Sequence, residues 1–455
     1  MREYDIAILG GGSGGYVAAI RAAKMGVSVA LIEKDKVGGT CLNRGCIPTK
    51  VMIEAGHRYN IALNSSEYGV DIRDAEFNYK RMLKTREEVV KTLRDGVLHL
   101  LKKLKVDLIE GYGELTSENT IMVDGVEEIR ANNIILATGS KPSSLPGLEI
   151  DNKYILTSDD ILELEKPPAR LIVVGAGAIG CEFAYIFANI GVKVYLVELL
   201  DRAIPGSDKR ASRVIASKLK SLGVKLSTET TIKRWTKKDG CLEATLEDGI
   251  VIEAECILLS VGRVPNTDSF SNIGGIKLNN GGFVETDEYL HTGCGNIYAI
   301  GDILPRPMLA HKAFYEGVIA VENILGYKRK VRYDIIPSVV YTIPEIAQVG
   351  PTEDELKESG YEYTTSTFHF RALGRALAMG ETDGFVKIIS GADGRILSGT
   401  IVGLSAGELI GEISLAILSE MKADEFKDLV HSHPTLSEAT GEALWGLSER
   451  MIHSL

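Results

Sequence analysis

The chain has 455 residues, 45% of them apolar and 25% charged, the balance of an ordinary globular protein, which excludes a disordered, collagenous or disulfide-scaffold chain. That length is too great for one hydrophobic core, so about two to four packed domains are expected. Lys and Arg number 51 against 62 Asp and Glu, a formal net charge of −11, the wrong sign for binding phosphate backbones, so nucleic acid is not an expected partner.

The first residues, MREYDIAILGGG, enter a strand pattern at once, with no basic stretch, long apolar run or small-residue cleavage site. The expectation is a cytoplasmic protein. The apolar region 171–200 is interrupted by Glu182, Lys193 and Glu198 and opens on a glycine turn, so no membrane span is expected. Six cysteines are too few for a disulfide framework in a chain of this size, and in a reducing compartment a disulfide is more often catalytic than structural.

An apolar strand over 4–9 stops at Gly10, Gly12 and Gly15, a helix runs to Met25, and a second strand over 27–32 leads to Glu33. The arrangement recurs: a strand over 171–174, then Gly175, Gly177 and Gly180, a helix to Ile190, a strand over 192–197, and Glu198. Each matched pair lies 165 positions apart. A lone GxGxxG is weak evidence in a chain with 48 glycines. Here both copies sit between strand and helix, where the first glycine makes the tight turn, the second admits a pyrophosphate, and the third lets helix and strand pack closely. Glu33 and Glu198, each ending a second strand, suit ribose hydroxyls and would repel a 2′-phosphate, which favours FAD or NAD over NADP. LLDRAIP after Glu198 carries one Arg and no basic cluster, in agreement. Two such folds in one chain suggest a flavin on one and a nicotinamide on the other.

GGTCLNRGCIPTK follows the first copy and carries Cys41 and Cys46. On an undistorted helix, residues five apart have Cα atoms roughly 8–9 Å apart, beyond the ~7 Å reach of a disulfide. A bridge therefore needs a distorted turn, which Gly45 could supply. Pro48 is tolerated only in the first turn of a helix continuing beyond it, and Lys50 shares a helical face with Cys46, where its charge favours thiolate. A zinc half-site and a pair of buried thiols are the alternatives; zinc would want a second Cys or His pair with ligand spacing, and none is found, so no metal is expected. Cys181, Cys241, Cys256 and Cys294 stand among apolar strand or helix positions and are assigned no chemistry.

With these segments in view, the chain resembles the flavin-dependent pyridine nucleotide-disulfide oxidoreductases over essentially its full length, and most closely the branch that oxidises dihydrolipoyl groups. The resemblance implies an α/β fold of two Rossmann-like dinucleotide-binding domains with a C-terminal α+β interface domain. FAD would lie on the first glycine turn and NAD on the second. Cys46 would be the sulfur beside the flavin and Cys41 the sulfur that meets substrate, with Lys50 near the flavin and Glu182 as its carboxylate partner. Thr138 and Gly139 in ILATGS and Asp302 in IYAIGD would complete the FAD site, and Gly262 is counted among the cofactor-binding positions. A helix beginning at Met308 and including Ala310 would turn its N-terminal amides toward the flavin. It continues FYEG where a more acidic stretch is expected, a departure assigned to the helix surface.

HSHPTLSE, 431–438, carries the second specific signal. Thr435 and Glu438 fit a capping box before a helix running toward Trp445, a structural role that competes with a chemical one for Glu438. A histidine with an unperturbed pKa of about 6.5 suits proton transfer to and from thiols. The resemblance makes His433 the base and Glu438 its orienting partner, with His431 structural. It also implies a homodimer in which this histidine completes the other subunit's disulfide site. From about Tyr333, FVKIIS, a GADG turn and RILSGTIVG predict a hairpin flanked by amphipathic helices over 408–421.

The expected division is 1–142 (FAD), 143–264 (NAD), 265–332 (a return segment completing the FAD domain) and 333–455 (interface). The implied activity is oxidation of lipoyl groups carried by a protein of a 2-oxo acid dehydrogenase or glycine cleavage complex, with reduction of NAD. A glutathione-type reductase would need basic residues for a 2′-phosphate, and a mercuric reductase a C-terminal cysteine pair. Neither is found. A scaffold subunit of a larger complex would not need the set Cys41, Cys46, His433 and Glu438.

Overall fold

In the computed structural model every residue is described except 1, 306, 449, 454 and 455. The strand Arg2–Leu9 lies centrally, hydrogen-bonded in parallel to Val29–Glu33 on one side and Glu127–Leu136 on the other. Covered on both faces, it reads as a continuous apolar run with Ile6, Ala7 and Ile8 wholly buried. Asp107–Glu110 extends the sheet beyond Val29–Glu33. An antiparallel pair, Gly113–Ser117 and Thr120–Val123, extends it beyond Glu127–Leu136. The short strand Ile297–Ala299 returns far later in the chain to pair with Glu127–Leu136.

A second, all-parallel sheet runs in the order Lys225–Ser227, Lys193–Val197, Arg170–Val174, Cys256–Leu259, Ile155–Leu156. A three-stranded antiparallel sheet, Ile232–Lys238, Cys241–Leu246 and Val251–Ala254, packs against it around Leu242, Ala244 and Ile252. The chain leaves the first unit through Ser140–Pro142 and comes back through Arg263–Pro265, and these two crossings pair antiparallel.

The C-terminal part is a five-stranded antiparallel sheet in the order Ser338–Val340, Glu345–Val349, Ile396–Gly403, Phe385–Gly391, Tyr363–His369. The expected hairpin is its core, Phe385–Gly391 with Ile396–Gly403. Helices Ala406–Leu418 and Glu438–Ser448 cover it, burying Ile410, Ile413, Ala443 and Leu444. The α/β fold with two Rossmann-like halves and an α+β C-terminal unit is as expected.

One apolar cluster joins all three parts. Met52 and Ile53 from the helix after the cysteines, Phe183 and Tyr185 from the second dinucleotide unit, and Ile343, Ile346, Phe385 and Val402 from the C-terminal sheet share it. At roughly 25 cal/mol per Å² of apolar surface removed from water, such burial holds the parts in fixed relation. The cysteine helix sits on that seam. Among the described residues no helix is long and apolar enough to cross a membrane.

Candidate active site

The two glycine turns are built alike. Gly10 and Gly175 have φ of +106° and +97°, and a Cβ on either would lie 2.4 or 2.5 Å from a carbonyl oxygen, Ala137 or Ser260. Only glycine fits there. A Cβ at Gly15 or Gly180 would fall 1.8 or 1.9 Å from the carbonyl of that first glycine, so the third position sets the helix against the strand. At Gly177 a Cβ would meet nothing within 4 Å, and at Gly12 only Gly39 Cα at 3.9 Å, leaving backbone open to a phosphate. Gly12 and Gly177 are the N-caps of Ser13–Lys24 and Ala178–Asn189, and neither helix start is occupied by a side-chain cap.

The acidic residues agree atom for atom. Glu33 accepts from the Gly11 amide at 2.7 Å and the Asp35 amide at 2.8 Å. Glu198 accepts from Ala176 at 2.6 Å and Leu200 at 2.9 Å, at positions 165 further on. Each carboxylate is thereby anchored at the end of its strand with acceptor capacity left for ribose hydroxyls. An open phosphate cradle, a free helix start and a held acid fit a dinucleotide in both units.

Further groups of the first site come from afar. Thr138 donates to the Asn266 carbonyl at 2.5 Å, and Gly139 accepts from the Asn266 amide at 2.8 Å. Asp302 accepts from the Ser140 hydroxyl at 2.7 Å, which itself accepts from Arg263 Nε at 2.7 Å. Ser140 and Arg263, on the paired crossings, thus orient Asp302; neither stands out in the sequence, because their meeting depends on two crossings more than a hundred residues apart. Gly262 adopts φ +108° immediately before the second crossing.

The helix expected from Met308 begins two residues later, at Ala310, with Leu309 extended as its N-cap and no side-chain cap, leaving its first amides available to an anionic ring. Its FYEG segment corrects the expectation of a surface departure: Glu316 is wholly buried. Glu316 accepts from the Gly301 amide at 2.7 Å and the Tyr333 hydroxyl at 2.9 Å, and pairs with buried Lys312 at 3.4 Å. Lys312 donates to the Gly301 carbonyl at 2.9 Å, so the pair pins the loop that carries Asp302. Gly317 lies against Gly14, where a Cβ would be 2.6 Å from its carbonyl.

At the cysteines, Gly39–Arg44 ends at Gly45, whose φ −143° and ψ −108° break the helix before Cys46–Asn64 begins. The distorted turn is therefore present, and Pro48 sits in the first turn of the second helix as its missing N–H requires. Across this break the two thiols are near enough for a hydrogen-bonding interaction to shift both. That interaction with Cys41, reinforced by the Lys50 charge, lowers Cys46 to about 7 against the opposing effect of burial. Cys41 is pushed far up by its interaction with Cys46 and by burial. The two shifts run in opposite directions and favour the thiolate at Cys46 over Cys41. Lys50 Nζ reaches Glu182 Oε2 at 2.9 Å and Oε1 at 3.1 Å across the seam between units. No metal-binding group of three or more His, Cys, Asp or Glu occurs among the described residues.

Cys181 and Cys256 are buried on helix and strand, and Cys241 half-buried on a strand. Cys294 differs from expectation, lying in a turn before Ile297–Ala299 with Thr292 bonded to its amide.

His433 Nδ1 and Glu438 Oε1 are 2.8 Å apart, and the His433 side chain is 79% exposed. The expected capping box forms by half. Glu438 Oε2 accepts from the Thr435 amide at 2.8 Å, while the Thr435 hydroxyl turns to the Ser432 carbonyl at 2.7 Å, and the helix begins at Glu438 itself. Glu438 thus does both jobs, one with each oxygen. His431, by contrast, is tucked against Glu412 at 2.8 Å with its side chain 10% exposed.

Comparison with known proteins agrees with this geometry. Residues 4–317 match the family model of the pyridine nucleotide-disulphide oxidoreductases, and residues 336–444 match the dimerisation domain of the same group. The chain belongs to this family. It is 40% identical to the dihydrolipoyl dehydrogenase of Geobacillus stearothermophilus, over 97% of this chain and 95% of that one. It is 39% identical to the mitochondrial dihydrolipoyl dehydrogenase of Dictyostelium discoideum, over 99% and 96%. Among solved structures it resembles LpdA from Mycobacterium tuberculosis, with a TM-score of 0.91 and 28% identity over 98% of this chain and all of that one. It also resembles the HOCl-induced flavoprotein disulfide reductase RclA from Escherichia coli, with a TM-score of 0.86 and 28% identity over the same shares. In this family's terms, the first glycine turn with Cys41 and Cys46 lies in the matched oxidoreductase segment, and His433 with Glu438 in the dimerisation segment.

Proposed function

We propose that this member of the family is a dihydrolipoyl dehydrogenase, oxidising protein-bound dihydrolipoyl groups and reducing NAD. The observation that carries the reading is the cysteine pair itself, Cys41 and Cys46 on either side of the Gly45 break, with Lys50 on the helix that Cys46 begins. Full-length similarity to dihydrolipoyl dehydrogenases supports the substrate, and the Glu198 arrangement supports NAD over NADP.

FAD on the first unit would be held by Gly10, Gly12, Gly15, Glu33, Lys50, Thr138, Gly139, Asp302 and Ala310. NAD on the second would be held by Gly175, Gly177, Gly180, Glu182, Glu198 and Gly262. Bound FAD supplies the two-electron relay between sulfur and nicotinamide. In the oxidised enzyme Cys41 and Cys46 are joined. His433 takes a proton from one thiol of the substrate, and Glu438 stabilises the resulting imidazolium. The substrate thiolate attacks Cys41 Sγ, the Cys41–Cys46 bond breaks, and Cys46 leaves as a thiolate stabilised by Lys50. The second substrate thiol attacks the substrate sulfur of the mixed disulfide, its proton passing to the Cys41 sulfur as that leaves. This closes the lipoyl ring and releases Cys41. Two electrons have then passed from substrate to the cysteine pair.

The exposed imidazole and the dimerisation domain support a homodimer in which His433 serves the partner's cysteines. The lipoyl carrier belongs to a 2-oxo acid dehydrogenase or glycine cleavage complex, and the cytoplasm is the proposed location. The proposed boundaries are 1–142, 143–264, 265–332 and 333–455, supported by the paired crossings and the return strand. The test is an anaerobic titration of the purified holoenzyme with dihydrolipoamide and then NAD. A long-wavelength thiolate-to-flavin band that appears with the first and disappears with the second is expected. Reduction by NADPH and not NADH would overturn the assignment of Glu198, and failure of dihydrolipoamide to reduce the protein would overturn the substrate.

A further inference from the structure

Three segments distant in sequence converge on one ammonium group. Lys50 belongs to the cysteine helix and Glu182 to the second dinucleotide unit. Tyr341, just beyond the first strand of the C-terminal sheet, belongs to the third. Lys50 Nζ lies 4.3 Å from the centre of the Tyr341 ring, and the Tyr341 amide donates to Glu182 Oε1 at 2.9 Å. The ammonium is thus bracketed by a carboxylate and by an aromatic face attached to the residue that anchors that carboxylate. The ring is half-buried and packs on the cluster containing Met52, Ile53 and Phe183, which fixes its plane.

An ammonium over a ring face is attracted by the ring's negative quadrupole, and the ring displaces water that would otherwise screen the charge. Lys50 needs such a hold, since a flexible four-carbon stem does not by itself keep a point charge in place. The groups facing Cys46 are Cys41, Lys50 and Glu182, with Tyr341 reaching it from the C-terminal unit. Glu345 and Glu408 face Tyr341 from the same unit. Among these described groups Lys50 is the cation, so its position adds to the larger effect of Cys41 in favouring the thiolate.

We propose that Tyr341 is a positioning residue for the sulfur chemistry: its ring, seated over Lys50, keeps that charge beside Cys46 and so maintains the thiolate of the reduced pair. The C-terminal unit thereby acts on the redox centre of its own chain as well as presenting His433.

The proposal rests on the reading of Cys46 as the sulfur beside the flavin, and the experiment separates the two. The holoenzyme is reduced by two electrons under argon, and the long-wavelength band is titrated with pH in the unsubstituted protein, in Tyr341→Phe, in Tyr341→Leu, and with trifluorinated phenylalanine at 341. Phenylalanine and its trifluorinated form have nearly the same shape and differ in how negative the ring face is, the fluorinated face being close to neutral, so their comparison survives even if the leucine variant does not fold. The phenylalanine variant should keep the midpoint. The fluorinated ring and leucine should raise it by about half to one pH unit. Equal midpoints for phenylalanine and its fluorinated form would overturn the role of Tyr341 alone. Absence of the band from the unsubstituted protein would overturn the reading of Cys46 as well.

Discussion

Glu438 holds the Nδ1 of His433 with one carboxylate oxygen and the Thr435 amide with the other, both at 2.8 Å. These bonds keep its carboxyl below the usual range against the opposing effect of burial, so the partner of His433 stays ionised through neutral pH. Proton transfer by a positioned side chain contributes about 10²- to 10⁴-fold to a rate. His433→Gln should therefore slow dihydrolipoamide oxidation by about that factor, and Glu438→Gln by about 10²-fold. Reduction of the bound flavin by NADH should be unaffected, since it involves neither residue. Stopped-flow measurement of the two half-reactions checks both.

The two cysteines should separate under substitution. Cys41→Ser leaves Cys46 beside Lys50 and should retain thiolate absorbance while losing exchange with dithiols; Cys46→Ser should lose both. With Cys46 brought to about 7, the thiolate band of the reduced protein should be half-developed near that pH and fade in more acid solution as the sulfur protonates. Absorbance titration between pH 5 and 9 tests the midpoint.

Removal of the Glu198 carboxylate by Glu198→Ala takes away an acceptor for two ribose hydroxyls and frees the Ala176 amide. A hydrogen bond to a charged group is worth about 1.5–3 kcal/mol, so the KM for NAD should rise by about 10-fold or more. Reduction of the protein by dihydrolipoamide should not change, and separate kinetics of the two substrates will tell.

A buried lysine ties the second dinucleotide unit to the C-terminal sheet. Lys387, 3% exposed at its side chain, bonds Asp208 at 2.7 Å and also contacts Glu353. Lys387→Met would leave Asp208 buried without a cation, a loss of about 3–5 kcal/mol by the precedent of broken buried pairs. The Lys387 hydrogen bond holds Glu353 down at about 2. A carboxyl lowered in the folded state stabilises above its unfolded value and ceases to do so as pH falls through the folded one. The gap in melting temperature between the two proteins should be full at pH 7, narrow below about 4.5 and be smallest near 2. Calorimetry across that range measures it.

Local chemistry was legible and long-range meeting was not. The spacing of Gly10, Gly12 and Gly15, repeated at Gly175, Gly177 and Gly180, announces its geometry because turn, helix start and strand end are all set within about thirty residues. The break at Gly45 was legible for the same reason. Tyr341, Ser140, Arg263 and the Lys312–Glu316 pair carry no such mark. Each acts on a group more than ten residues away through folded contact, and a tyrosine in PSVVYT or a glutamate in FYEG looks the same whether it faces water or a buried ammonium. Family resemblance bridged that gap for Lys50 with Glu182, whose 2.9 Å contact spans 132 positions.

The antiparallel pairing of Ser140–Pro142 with Arg263–Pro265 means that the second dinucleotide unit enters and leaves its host at one place. A chain so arranged can lose or exchange that unit by joining two neighbouring ends, without rethreading the first sheet. Coenzyme preference is then a trait that can be grafted, provided the transplanted module brings its own Glu182 for Lys50 to meet.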